Sequence, residues 1–87
     1  MKYRFTENFD GRYAELDAES QQAIDDALGL FLENPRAKSL RTKKMQGYKG
    51  IFEMSANMDI RITYSYEKPD VVVLRNCGHH DKALRKP

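Results

Sequence analysis

The stretch Asp59-Ile60-Arg61-Ile62-Thr63-Tyr64-Ser65-Tyr66-Glu67 alternates between two kinds of side chain. Ile60, Ile62, Tyr64 and Tyr66 fall at one parity, and Arg61, Thr63 and Ser65 at the other. Successive side chains of an extended chain point to opposite faces. β-Branched and aromatic residues at this density specify a strand, and the alternation specifies burial on one side only. A sheet is therefore predicted with one face packed on other elements and one open face carrying Arg61. Tyr64 and Tyr66 are expected in the core with their hydroxyls at its rim.

Two further β-rich runs flank this one. "GIFEMSA" (50–56) precedes it across the turn candidate "NMD", and "DVVVLRN" (70–76) follows across "EKPD". Burying Val72 and Leu74 sends Val71, Val73 and Arg75 to the open side. Near the start, "KYRF" (2–5) reads as a strand with Tyr3 and Phe5 inward and Lys2 and Arg4 on the open face. Between these β segments, Thr6 is placed to cap a helix carrying Phe9, Tyr13 and Leu16. Asp17 is placed to cap a second, with Ile24, Ala27, Leu28 and Phe31 at i, i+3, i+4 and i+7. Asn34-Pro35 ends it. The order predicts one α+β domain over residues 1–87, β-α-α-β-β-β with a short C-terminal helical turn. The helical hairpin packs on one face of a mostly antiparallel four-stranded sheet.

A chain of 87 residues has room for one small core. No apolar stretch approaches the roughly 20 residues of a membrane-spanning helix. "MKYRFTENF" lacks the apolar segment of a secretory signal, and a single cysteine makes no internal disulfide, so a reducing cytoplasm is the expected compartment. The net charge of +2 is small, but its distribution is uneven. Asp17, Glu19, Asp25, Asp26 and Glu33 crowd the helical segment. Between Glu33 and Glu53 every charge is positive: Arg36, Lys38, Arg41, Lys43, Lys44 and Lys49. Such a basic surface suits a polyanion or an acidic partner, or is simply a solvated loop.

Strand, helical hairpin, basic loop and three-stranded meander, in this order, resemble the RelE/ParE superfamily of bacterial type II toxins. "ALGLFLENP" is similar to that family's second helix with its terminal Asn-Pro, and "LRTKKMQG" to its basic loop with a Lys-x-x-Gly-type turn. "DIRITY" resembles its Tyr-Arg-Leu-Val-Tyr-like strand, and "VVVLRNCGHHD" its closing strand followed by Gly-x-His or Gly-x-Arg. The resemblance covers nearly the whole chain and rests on order and spacing. It implies a toxin silenced by a cognate antitoxin. In the RelE branch that toxin is an endoribonuclease cutting messenger RNA, commonly on the ribosome; in the ParE branch it is a binder of DNA gyrase.

RNA cleavage by internal transfer needs a base for the ribose 2′-hydroxyl, cations for the phosphate and an acid for the 5′-oxygen. Imidazole serves both proton roles near neutrality, and guanidinium donates paired hydrogen bonds while staying charged. By the resemblance, Arg61 is the phosphate-stabilising arginine and His80 the general acid or base. Arg75 adds a second phosphate contact. His79 is the alternative imidazole, since adjacent residues on extended backbone cannot point the same way. Arg41, Lys43, Lys44 and Lys49 would position RNA. Two departures from the family stand out: Phe52, Glu53 and Met54 occupy a strand where some members place lysines, and Leu84 stands near a common terminal aromatic. Glu53 is a candidate carboxylate base or an ion-pair partner of Arg61. Asp81 is a candidate cap for the last helical turn or an orienting group for His80. Cys77, His79, His80 and Asp81 offer four ligand types, but adjacent histidines without a CxxC or HxxxH partner do not make a closed tetrahedral site, so neither metal nor cofactor is expected.

Overall fold

The computed structural model describes residues 1–87, in the order β1 (Lys2–Phe5), α1 (Glu7–Glu15), α2 (Ala18–Glu33), β2 (Lys43–Lys44), β3 (Phe52–Ser55), β4 (Ile60–Glu67), β5 (Val71–His79) and α3 (His80–Arg85). The strands form one sheet in the order β1-β5-β4-β3-β2. β1 runs parallel to β5 and every other pair is antiparallel. The α+β class and the helical hairpin on one face of the sheet are as expected. The sheet has one strand more than the expected four, because Lys43 and Lys44 fold back on Glu53 and Phe52 in a hairpin whose Met45 N–H donates to the Ile51 carbonyl. Lysines score poorly as strand formers, so this edge strand is set by its partner and not by local propensity.

The helix caps follow their residues. The Thr6 hydroxyl accepts from the Phe9 N–H at 3.1 Å and Asp17 from the Ser20 N–H at 2.8 Å, satisfying orphan donors of the first turns. The Asp17 bonds also hold its carboxyl below the usual range. Phe9 of α1 and Ile24, Ala27, Leu28 and Phe31 of α2 then meet Met54, Ile62, Tyr64, Val72 and Leu74 of the sheet in one core. Burying a large apolar side chain here contributes roughly 1.5–3 kcal/mol.

The central ladder contains an irregularity with consequences. Tyr64 pairs with Leu74 but Thr63 pairs with Asn76, so Arg75 is an extra residue on β5. This β-bulge inverts the parity of β5 beyond it. Cys77 joins Ile62 in the core, while Asn76 and Gly78 join Thr63 and Arg61 on the other face. That second face is not open along its length. α3 lies on it, with Ala83 buried and the Asn76 side-chain amide donating to the carbonyls of Ala83 and Lys86. Thr63, Asn76 and Val73 are all buried on this face, and Val71 stays partly exposed. Tyr66 departs in the opposite sense at 56% exposed, because β3 begins opposite Tyr64 and no strand flanks Tyr66 on that side.

Thr6 joins three elements. Besides capping α1, its hydroxyl donates to the Leu74 carbonyl at 2.8 Å, and its N–H reaches the same carbonyl at 3.2 Å. Thr6→Ala should therefore lower unfolding stability by about 1–2 kcal/mol, with Thr6→Ser retaining most of it, as measured by urea denaturation.

Candidate functional site

The β3–β4 turn builds the first part of the site. The Asn57 side-chain oxygen accepts from the N–H groups of Asp59 and Ile60 at 2.9 and 2.8 Å, closing a turn that needs no glycine. Arg61, the second residue of β4, reaches back over it. Its Nη1 donates to the carbonyls of Asn57, Met58 and Ile60 at 2.8, 3.1 and 3.1 Å. The guanidinium is thus fixed through one nitrogen, and Nε and Nη2 remain for an anion. Gly78 stands opposite Arg61 on β5 with φ +150°, so no side chain shares that position of the ladder. A cleft of about 430 Å³ opens beside Arg61, with Arg41, Ser39 and Ser55 in its wall and no acidic residue. Arg41 adopts a left-handed backbone, φ 49° and ψ 45°, immediately after a 3-10 turn at Lys38–Leu40. That conformation costs a non-glycine residue about 1–2 kcal/mol, and here it projects a second arginine to the cleft of the first.

The two histidines diverge. His79 pairs with Ile60 and lines a separate cavity of about 370 Å³ with Arg12, Glu15, Asp17 and Lys82. His80 opens α3, is exposed, and donates its N–H to the Asp59 carbonyl at 2.7 Å, which ties it to the Arg61 end of the sheet. His80 does not line the Arg61 cleft. Asp81 does not cap α3. The N-cap is His79, without a side-chain bond, and Asp81 sits in the first turn with its carboxylate 3.2 Å from His80 Nδ1. Arg75 is engaged elsewhere: its Nε donates to the Pro87 carbonyl at 2.9 Å.

The Arg61–Glu53 ion pair, the alternative reading of these two residues, does not form. Register places Glu53 against Thr63 and Lys43, and Ser55 against Arg61. Glu53 is buried in a shallow groove with Lys43, Lys44 and Gln46, on the same face as Arg61. Lys49 is exposed in the β2–β3 loop. Cys77 is sealed in the core, its thiol pushed up to about 12 by burial, so it is a packing residue. No three His, Cys, Asp or Glu side chains converge as metal ligands. Ser39, Ser55 and Asn57 complete the Arg61 end of the sheet and escaped sequence reasoning. Only the strand register, which parity does not determine, could have placed Ser55 beside Arg61.

No protein-family model and no curated protein sequence matches this chain. Solved structures do. The chain superposes on a YoeB/ParE toxin from Agrobacterium tumefaciens with TM-score 0.72 at 18% identity, covering 92% of this chain and 99% of that one. YafQ from E. coli strain BL21(DE3) gives TM-score 0.76 at 12% identity, over 92% and 93%. The chain has the RelE/ParE toxin fold. A third RelE/ParE-fold structure, the RelB–RelE antitoxin–toxin complex from Methanococcus jannaschii, gives TM-score 0.72 at 15% identity over 90% and 91%. At these identities it is the fold alone that is shared.

The left-handed Arg41 permits a test that separates function from folding. Arg41→Gly relieves the backbone and should raise unfolding stability by up to about 1 kcal/mol. The same substitution should lower the salt concentration that elutes the protein from heparin.

Proposed function

We propose that this protein is the toxin of a toxin–antitoxin pair and an endoribonuclease that cuts messenger RNA in the cytoplasm, on or near the ribosome. The observation that carries this reading is the acid-free cleft of Arg61 and Arg41, at the end of the sheet to which the His80 main chain is tied. The RelE/ParE fold supports it, since the related DinJ–YafQ and RelB–RelE structures are toxin–antitoxin complexes.

In the proposed reaction the scissile phosphate lies against Nε and Nη2 of Arg61, with Arg41 as second cation. A side-chain base takes the 2′-hydroxyl proton, and the 2′-oxygen attacks phosphorus. The P–O5′ bond breaks and the 5′-oxygen takes a proton from the acid. The products are a 2′,3′-cyclic phosphate and a 5′-hydroxyl. His80 fills one proton role, with Nδ1 against the Asp81 carboxylate and Nε2 left for the substrate proton. Glu53, on the same face as Arg61, is the candidate for the other. His79, lining another cavity, is left outside this chemistry. Arg75 holds the C-terminal segment and supports the face. Lys43, Lys44 and Lys49 position the RNA backbone with salt-sensitive, sequence-independent attraction. No cofactor enters this scheme, since protons and cations come from side chains. The antitoxin, in this reading, covers the basic loop and the partly exposed Val71.

A second reading, a ParE-like toxin that acts by binding a protein such as gyrase, is favoured by one feature. Arg61 Nη1 is shared among three turn carbonyls, which is also what a structural arginine does. A translation extract programmed with a defined message separates the two. Purified protein should cut the message, and Arg61→Ala and His80→Ala should each slow cutting about 10²-fold or more with unchanged circular dichroism. Cleavage unaffected in both variants would remove the site assignment, and intact message with gyrase inhibition would favour the second reading.

A further inference from the structure

On the helix side of the sheet, away from the Arg61 cleft, three aromatic rings form a ladder. Phe52 and Tyr64 stack at 5.6 Å with 22° between planes, and Tyr66 meets them edge-on at 5.3 and 5.8 Å. Tyr64 is buried, whereas Tyr66 is exposed. A cleft of about 260 Å³ lies beside the ladder, with Pro35, Arg36, Thr42, Lys43 and Lys44 in its wall. Neither Arg36 nor Lys44, the two cations on this side, lies within salt-bridge distance of a carboxylate, and no acidic residue lines the cleft. An exposed ring beside unpaired cations matches a base followed by its phosphates. Stacking accepts any base, and lysines and arginine hold the backbone. The small volume suits one base and not a folded ligand.

β2 links this cleft to the other face. Lys44 pairs with Phe52 on the helix side and Lys43 with Glu53 on the Arg61 side, and β2 is the outer strand of the sheet. A single strand crossing this edge meets cations on both sides of it. We infer that Tyr66, Phe52, Arg36 and Lys44 form a second, sequence-tolerant subsite that holds one nucleotide of single-stranded RNA outside the cleavage cleft. The inference rests on the proposed RNA substrate for the kind of ligand, and not on the cleavage chemistry.

The test uses the whole protein and a fluorescent 2′-O-methyl oligouridylate of about eight nucleotides, within the span of known single-strand sites. Its blocked 2′-oxygen prevents internal transfer, so anisotropy reads binding alone. Tyr66→Ala, at an exposed position, should weaken binding about tenfold, and Tyr66→Phe should stay within about twofold. Lys44→Gln should reduce the slope of log affinity against log salt by roughly 0.7. Binding that requires Tyr66 in a protein that cuts no message would support the subsite while removing the endonuclease reading. Binding lost in Arg61→Ala but unchanged in Tyr66→Ala would overturn the subsite and leave the cleavage site standing. A Tyr66→Ala variant that binds oligouridylate normally but loses a bound protein partner would also overturn it.

Discussion

Ile62 pairs with Cys77 and Tyr64 with Leu74, so the central β4–β5 ladder must absorb one extra residue, Arg75, between them. Much else follows from that bulge. It lets β5 keep Val72, Leu74 and Cys77 all in the core, which strict alternation forbids. It turns Asn76 toward the other face, where its amide holds the C-terminal segment through Ala83 and Lys86. It sets Gly78 opposite Arg61 and frees the Arg75 guanidinium to reach Pro87. Bulges re-aim side chains near working surfaces, and here the re-aimed residues border the proposed site.

Charge is segregated around this frame. The helical hairpin carries eight of the thirteen acidic residues, counted with its Asp17 cap, and the edge at β2 carries cations in no salt bridge, reaching toward Arg41 and Arg61 near the β3–β4 turn. Cations so placed raise the local concentration of a polyanion without specifying its sequence. Arg61 is pinned by three turn carbonyls, so its guanidinium is held before any ligand arrives, whereas Arg41 is brought to the cleft only by its left-handed backbone. Pre-organisation of this sort is what stabilising charge in a transition state requires.

The fold was legible wherever one residue type left a single physical option. Thr6 and Asp17 could only cap, and the apolar positions of α2 could only face a core. Alternation in β4 was equally direct from Ile60 to Tyr64. Parity failed at two places. It ran unbroken through Arg75, since nothing local marks a bulge, and it buried Tyr66, whose exposure depends on where β3 starts. β2 was hidden because its two lysines pair by position and not by propensity. Of the candidate site, Arg61 and His80 were legible as residue types at family-like positions. The divergence of His79 from His80 was expected of adjacent residues, but the cavity His79 lines, Arg41's presence in the Arg61 cleft and the absence of an Arg61–Glu53 pair were not legible, since each is decided by register or by a left-handed residue.

In the proposed function, a cationic cleft and side-chain proton carriers cut RNA by internal transfer on this fold. The most direct measurement is the chemical identity of the ends left on a cut message, read by phosphatase and ligase sensitivity of the isolated fragments. Internal transfer leaves a 2′,3′-cyclic phosphate, or the 3′-phosphate from its opening, facing a 5′-hydroxyl. Fragments ending in 3′-hydroxyl and 5′-phosphate would contradict it, because those ends require attack by water and not by the neighbouring ribose oxygen.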